Sequence, residues 1–205
     1  MTGMGFVCAL ALISGAWAGN GEKITVRLVN SARRVADATL STGKQQAARV
    51  LSQAGVEVEW RECSADPCAE DLAADEFWMH VAEWKPAESC VETLGFTLLG
   101  GDSKPGARVA GIYYPMVRQM ADNLVLEEVP ILAAAMAHEI GHLLGLGHST
   151  TGVMSCAFNR ARIVEMSQGG LLFGRDQVAS MRSELFLRTT AGLTSDFSRA
   201  QAPPR

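Results

Sequence analysis

Three of the four histidines in this 205-residue chain fall within the segment 138–148, which reads His-Glu-Ile-Gly-His-Leu-Leu-Gly-Leu-Gly-His. On a helix, four residues advance the chain by about 400°, so His138 and His142 lie on one face and both imidazoles can bind the same Zn²⁺. Glu139 lies one step round that helix, close enough to reach a water on the metal without being a ligand. This is the arrangement that a general base needs.

Two histidines on a helix leave a tetrahedral zinc ion short of a third protein ligand. Gly145 is suited to end the helix, because a left-handed backbone conformation is free of strain only for glycine. The chain can then fold back, and His148 becomes the third ligand. The fourth coordination position stays open for water, which is typical of a catalytic rather than a structural zinc site. Surface histidines on a helix would not explain this clustering.

Hydrophobic periodicity indicates the elements that position these residues. The longest helical segment covers 126–144, with Pro130 in its first turn, where a missing N–H costs nothing. A helix capped by Ser41 or Thr42 is predicted over 44–54. Alternating and apolar segments predict strands at 23–30, 56–61, 77–84, 94–99 and 108–114, and a last helix is predicted over 175–187. This order predicts a mixed sheet with helices packed on it.

The two ends of the chain are expected to lie outside the folded domain. Residues 6–18 are apolar and uncharged, too short to span a membrane, and end in Ala-Trp-Ala. They predict a signal peptide over 1–18, cleaved near Ala18, and therefore a secreted or periplasmic protein. The alternatives are a buried N-terminal strand or a mis-assigned start codon. One domain is predicted over 22–188, followed by a disordered tail over 189–205.

Composition excludes other classes of protein. With 48% hydrophobic residues the chain is too apolar to be disordered over most of its length. Its net charge of −4 and the lack of a Lys/Arg run argue against a partner nucleic acid.

Five cysteines become four once Cys8 leaves with the signal peptide. An even set in an exported chain predicts two disulfides, for which three pairings exist. We favour Cys63–Cys68 and Cys90–Cys156. Free thiols are the alternative, and the spacing fits no common zinc ribbon.

The segment 138–148 resembles the signature of the metzincin clan of zinc proteases at every defining position. Met154 is well placed to be the methionine of the metzincin Met-turn, beneath the metal. Ser149, directly after the third histidine, resembles the residue that matrixins (matrix metalloproteinases) have at this position. The segment 173–178 resembles the start of the matrixin C-terminal helix. The label that fits is a minimal, bacterial-type, matrixin-like metzincin.

That resemblance implies an α/β (α+β) fold: a mixed, five-stranded twisted sheet with packed helices, an active-site helix and a small C-terminal subdomain. It implies a monomeric zinc endopeptidase in which His138, His142 and His148 hold one Zn²⁺ and Glu139 takes the proton of the zinc-bound water. Met154 would form a hydrophobic floor under the imidazoles. The substrate is expected to be a protein or peptide, extended along the strand at 94–99.

The chain also departs from matrixins. The interval from His148 to Met154 is shorter, and no Pro-Arg-Cys-Gly latency switch is found. The calcium-loop motifs are reduced to 100–102 (Gly-Gly-Asp), so the sequence leaves open whether the protein binds Ca²⁺. Two other functions remain: a catalytically silent zinc module, against which the intact Glu139 argues, and a zinc amidase acting on a cell-wall peptide. His80, Tyr113 and Tyr114 are most readily explained as structural residues.

Overall fold

Five strands form one twisted sheet in this computed structural model, which describes residues 21–30, 33–63, 68, 71–83, 93–98 and 106–200, with side chains to 191. The strands are β1 (Glu22–Val29), β2 (Val56–Glu62), β3 (Glu76–Ala82), β4 (Gly95–Leu98) and β5 (Val109–Tyr113). Their order is β2-β1-β3-β5-β4. Only β4 runs antiparallel to its neighbour, β5. The predicted mixed five-stranded α/β fold is therefore confirmed.

Five helices accompany the sheet in the described part of the chain. They are α1 (Asp37–Gln53), α2 (Tyr114–Leu124), α3 (Glu128–Leu143), α4 (Arg160–Ser167) and α5 (Arg175–Ala200). Among the described residues, no helix is both long and apolar enough to cross a membrane.

The core lies between the sheet and the helices α1 and α3. Alternate residues of β1 and β3 point into it, as the period of two along a strand requires. Helix α3 is buried around almost its whole circumference, because the short side chains of 133–135 let its neighbours approach closely. The largest fully buried side chains are Phe77, Ile24, Leu28, Leu51, Met79, Ile112, Ile131, Leu132, Met136, Ile140, Leu143 and Leu144. The helix that carries the histidine motif is thus fixed by the centre of the core.

The helices differ from the prediction in three main respects. Helix α1 begins at Asp37 rather than after Ser41 or Thr42, so the predicted cap was wrong. Gly43, which reads as a break, lies inside α1, where an added Cβ would be 3.0 Å from the Leu132 Cδ2 atom. Helices α2 and α4 were not predicted.

The third difference lies at the C-terminal end of the described residues. Helix α5 begins at Arg175, as expected, but continues to Ala200. The predicted disordered tail is therefore wrong for 189–200, where the chain is helical. Residues 1–20, with the predicted signal peptide, lie outside the described residues, as do 201–205.

One predicted disulfide is present and the other is not. Cys63 and Cys68 are bonded, with their Cα atoms 5.8 Å apart. Cys156 is a free cysteine, exposed on the loop before α4, which contradicts its predicted pairing with Cys90. Cys90 itself lies outside the described residues.

A buried ion pair and two hydrogen bonds hold the segment that follows this disulfide against the sheet. Arg27 of β1 pairs with the Glu76 carboxylate, and its side chain is only 3% exposed. The same guanidinium donates to the carbonyl oxygens of Cys68, at 3.0 Å, and Asp71, at 3.4 Å. Burial raises the pKa of Glu76, but the hydrogen bond from the Ala73 N–H and the charge of Arg27 outweigh it and hold that pKa below its ordinary value.

Val125 ends α2 in a conformation that suits glycine. Its φ and ψ are 52° and 57°, and its side chain is 79% exposed. The left-handed region costs an L-residue about 1–2 kcal/mol, more than the roughly 0.5–1 kcal/mol of chain entropy that glycine loses. We expect Val125→Gly to raise the free energy of unfolding by about 0.5–1 kcal/mol, measured by urea denaturation. Val164→Gly, inside α4, should lower it, and a loss of stability in both variants would contradict the expectation.

Candidate metal centre

Three histidine side chains converge at the C-terminal end of α3. His138 and His142 project from the helix, and His148 follows it on the loop. The Nε2 atom of His142 lies 3.0 Å from that of His138 and 3.2 Å from that of His148. Nitrogen ligands of a tetrahedral zinc ion, each bonded at about 2.0–2.1 Å, are about 3.3 Å apart. The three Nε2 atoms are therefore spaced to hold one such ion, and this is the metal-ligating group found among the described residues.

Backbone carbonyls fix the orientation of the two helical imidazoles. The Nδ1 atom of His138 lies 2.8 Å from the Val153 carbonyl oxygen, and that of His142 lies 2.7 Å from the Leu146 carbonyl oxygen. A carbonyl can only accept, so Nδ1 carries the proton in both rings and Nε2 offers its lone pair to the centre. Outer hydrogen bonds of this kind orient metal ligands and raise their basicity. The sequence motif did not predict these two carbonyls.

The electrostatics of the site keep the helical histidines neutral. Burial lowers the pKa of His138 to about 4 and also lowers the pKa of His142, in both cases against a backbone hydrogen bond that raises it. Metal binding requires neutral imidazole, because a protonated ring has no lone pair at Nε2. Both rings are therefore in the metal-binding form at neutral pH.

Glu139 is buried beside the three histidines, with 5% of its surface exposed. Its Oε2 atom accepts a hydrogen bond from the Thr97 hydroxyl of β4 at 2.7 Å. Burial raises the pKa of this carboxyl to about 7, while the bond from Thr97 acts in the opposite direction. A carboxyl with that pKa can accept and return a proton near neutral pH.

The turn after α3 brings His148 back to the helix. Gly145 has φ +83°, the left-handed value that the motif predicts for it. Met154 is fully buried, and its Sδ atom lies 2.3 Å from where a Cβ on Gly141 would be, so a side chain at position 141 would displace Met154. Ser149 N–H donates to the Met154 carbonyl at 2.7 Å, which closes the loop.

Two elements border the histidine centre. Phe158 lies edge-on to the His138 ring, with 5.8 Å between centroids. Strand β4 contacts Glu139 through Thr97. It lies at the edge of the sheet, because it pairs with β5 alone among the described strands. The loop 100–102 lies outside the described residues.

The other candidate residues lie in structural surroundings. His80 is half-buried and stacks on Trp78, with ring centroids 5.7 Å apart. Tyr113 packs against Phe96. Tyr114 donates its hydroxyl to Glu128, and burial together with this bond raises its pKa to about 12.

Arg188 of α5 holds the end of the histidine helix. It donates to the carbonyls of Leu143, at 3.0 Å, and Ala107, at 3.2 Å, and pairs with Glu184 at 2.7 Å. Arg188→Met keeps the aliphatic volume but leaves these partners without their donors. We expect the free energy of unfolding to fall by about 2–4 kcal/mol. Urea denaturation measures this, with the exposed Arg182→Met as the matched control; equal effects of the two substitutions would contradict the role of Arg188.

The fold is similar to that of known structures, although no protein family and no curated protein matches the sequence. An archaemetzincin from Methanopyrus kandleri aligns with a TM-score of 0.50 and 16% identity, over 82% of this chain and 98% of that one. A metalloproteinase-II from Bacteroides fragilis aligns with a TM-score of 0.46 and 12% identity, over 80% of this chain and 53% of that one. The mixed sheet with its packed helices is thus a fold that this chain shares with an archaemetzincin.

Proposed function

We propose that this protein is a zinc-dependent endopeptidase, exported after cleavage near Ala18, that hydrolyses peptide bonds in extended protein or peptide segments. The observation that carries the proposal is the convergence of three Nε2 atoms, two of them on rings whose Nδ1 atoms are held by backbone carbonyls. Glu139, buried alongside, adds a proton acceptor. The similarity in fold to an archaemetzincin and the matrixin-like sequence 138–149 support the same function.

The donor set suits zinc. Three imidazoles are found here without a fourth protein ligand among the described residues, a donor set typical of catalytic zinc sites. His138, His142 and His148 would hold the ion, which when bound lowers the pKa of water and polarises the carbonyl to be cleaved.

The chain's own residues supply the proton transfer. Glu139, with its pKa near neutrality, takes a proton from the attacking water at its carboxylate and delivers it to the amine that leaves. Its burial excludes bulk water, which strengthens every charge interaction at the site. Met154, fully buried, packs against Gly141 of the same helix, as the Met-turn of the resemblance implies.

The edge strand β4 accounts for the proposed substrate class. Its outer edge has no partner strand among the described residues, so an extended peptide can pair with it through main-chain hydrogen bonds. Leu98 at the end of this strand is exposed, and Thr97 beside it contacts Glu139. A peptide paired with β4 would therefore lie near the histidine centre.

The test is a metal assay combined with cleavage of proteins and peptides. We expect the purified exported chain to contain about one zinc per molecule by atomic absorption. It should cleave casein and a peptide library, lose this activity to a chelator and regain it with zinc. Less than about half an equivalent of zinc after metal-replete purification, or cleavage that a chelator leaves unchanged, would contradict the proposal. Cell-wall peptides in the same assay test the amidase alternative.

The predicted export has its own measurement. Mass spectrometry of the secreted or periplasmic protein should give Gly19 as the first residue. An N-terminus at Met1 would contradict the predicted signal peptide.

A further inference from the structure

Strand β4 lies directly against the carboxylate of Glu139. Gly95 and Thr97 are two residues apart, so both face the same side of the strand, toward α3. A Cβ on Gly95 would lie 2.7 Å from Glu139 Oε1 and 2.5 Å from the Gly111 carbonyl oxygen. Because that second atom belongs to the backbone of β5, it cannot move aside. Only glycine therefore fits at position 95, because the Glu139 carboxylate and the β5 backbone occupy the place that a side chain would take.

Thr97 engages the other oxygen of the same carboxylate. Its hydroxyl donates to Oε2 at 2.7 Å and lies 3.4 Å from the Glu139 backbone carbonyl. In the part of the chain that the structure describes, this is the one hydrogen bond to the Glu139 side chain. A buried carboxylate with a single donor has its rotation set by that donor.

We propose that Thr97 is a positioning residue, whose hydroxyl holds the Glu139 carboxylate in one orientation against β4. This inference rests on the proposed peptidase function. Thr97 lies on the strand whose free edge would pair with substrate. A peptide that straightens or shifts β4 therefore also sets the orientation of the general base.

Two substitutions separate the hydroxyl from the shape of the side chain. Thr97→Val replaces the hydroxyl with a methyl group, and Thr97→Ser keeps the hydroxyl. We expect kcat to fall by about 10–100-fold in Thr97→Val, with KM within about twofold of the native value. The kcat and KM of Thr97→Ser should both stay within about threefold of the native values. Thr25→Val, on a half-buried strand position of β1, is the matched control and should leave both constants unchanged.

A spectroscopic measurement on the zinc-free chain tests the contact without relying on activity. The ¹³Cδ resonance of Glu139, assigned by its loss in Glu139→Ala, should shift in Thr97→Val and return in Thr97→Ser. An unchanged resonance in Thr97→Val would overturn the inference, as would an unchanged kcat or a failure of Thr97→Ser to restore it.

The failure of this inference is distinguishable from the failure of the proposed function. If the zinc-loaded native protein cleaves no peptide, the peptidase function is wrong and the positioning role is wrong with it. If the native protein and Thr97→Val cleave equally well, the peptidase function stands and only the positioning role is overturned.

Discussion

Glu139→Gln should lower kcat for peptide cleavage by about 10²–10⁴-fold while the protein still binds one zinc ion. The substitution keeps the size of the side chain and its ability to accept the Thr97 hydrogen bond, but an amide cannot take a proton from water at neutral pH. His138, His142 and His148 are unchanged, so the metal content should match that of the native chain. Turnover of a fluorogenic peptide and atomic absorption on the same preparation measure the two quantities.

The control for this substitution lies at the other end of α3. Glu127→Gln makes the same chemical change at the exposed residue before the helix and should leave both zinc content and kcat unchanged. A Glu139→Gln protein that cleaves within about tenfold of the native rate would contradict the role of Glu139 as general base. A silent zinc-binding protein would show no turnover in any of the three chains.

The second large effect is expected at the buried pair of Arg27 and Glu76, far from the chemistry. Glu76→Gln leaves the guanidinium buried without this carboxylate, and breaking a buried pair in this way costs about 3–5 kcal/mol. The exposed pair of Lys23 and Glu59, with side chains 63% and 55% exposed and 2.5 Å apart, provides the control. Glu59→Gln should have a much smaller effect, because solvent screens an exposed ion pair. Urea denaturation without reductant measures both.

The same pair predicts how stability depends on pH. The folded-state pKa of Glu76 lies below its unfolded value, so the unfolded chain binds the extra proton as the pH falls. The contribution of Glu76 is therefore fully present above the unfolded pKa of about 4.3 and is lost as the pH falls through the folded pKa. Glu76→Gln should flatten the decline of stability over this acidic range. An equal decline in the native chain and the variant would contradict the assignment.

Sequence patterns predicted the parts of the site that lie close together along the chain. The spacing of His138 and His142, the left-handed Gly145 and the return of His148 all follow from helix geometry within eleven residues. The strands were predicted to within two residues at each end because their apolar residues alternate. Contacts between distant segments carry no such signal, and so Thr97, 42 residues from Glu139, was not predicted.

The missed elements have local causes. Tyr114 and Pro115 begin α2 directly at the end of β5, so apolar residues continue across the boundary and read as strand. Ser41 and Thr42 are typical capping residues but lie inside α1, and Gly43 beside them packs closely against Leu132. Cys156 was paired with Cys90 by counting, and counting cannot show that it lies on an exposed loop.

The three histidines and the carbonyls that orient them all lie within 138–153, whereas Glu139 meets β4 only after the sheet has closed. Closing a short loop loses less chain entropy than joining distant strands, so local contacts form earlier in folding. If the histidines bind zinc as proposed, a newly made chain can therefore take up the ion before the edge strand reaches Glu139. Metal content would then show that the segment 138–153 has folded, whereas peptide cleavage would show that the whole domain has folded.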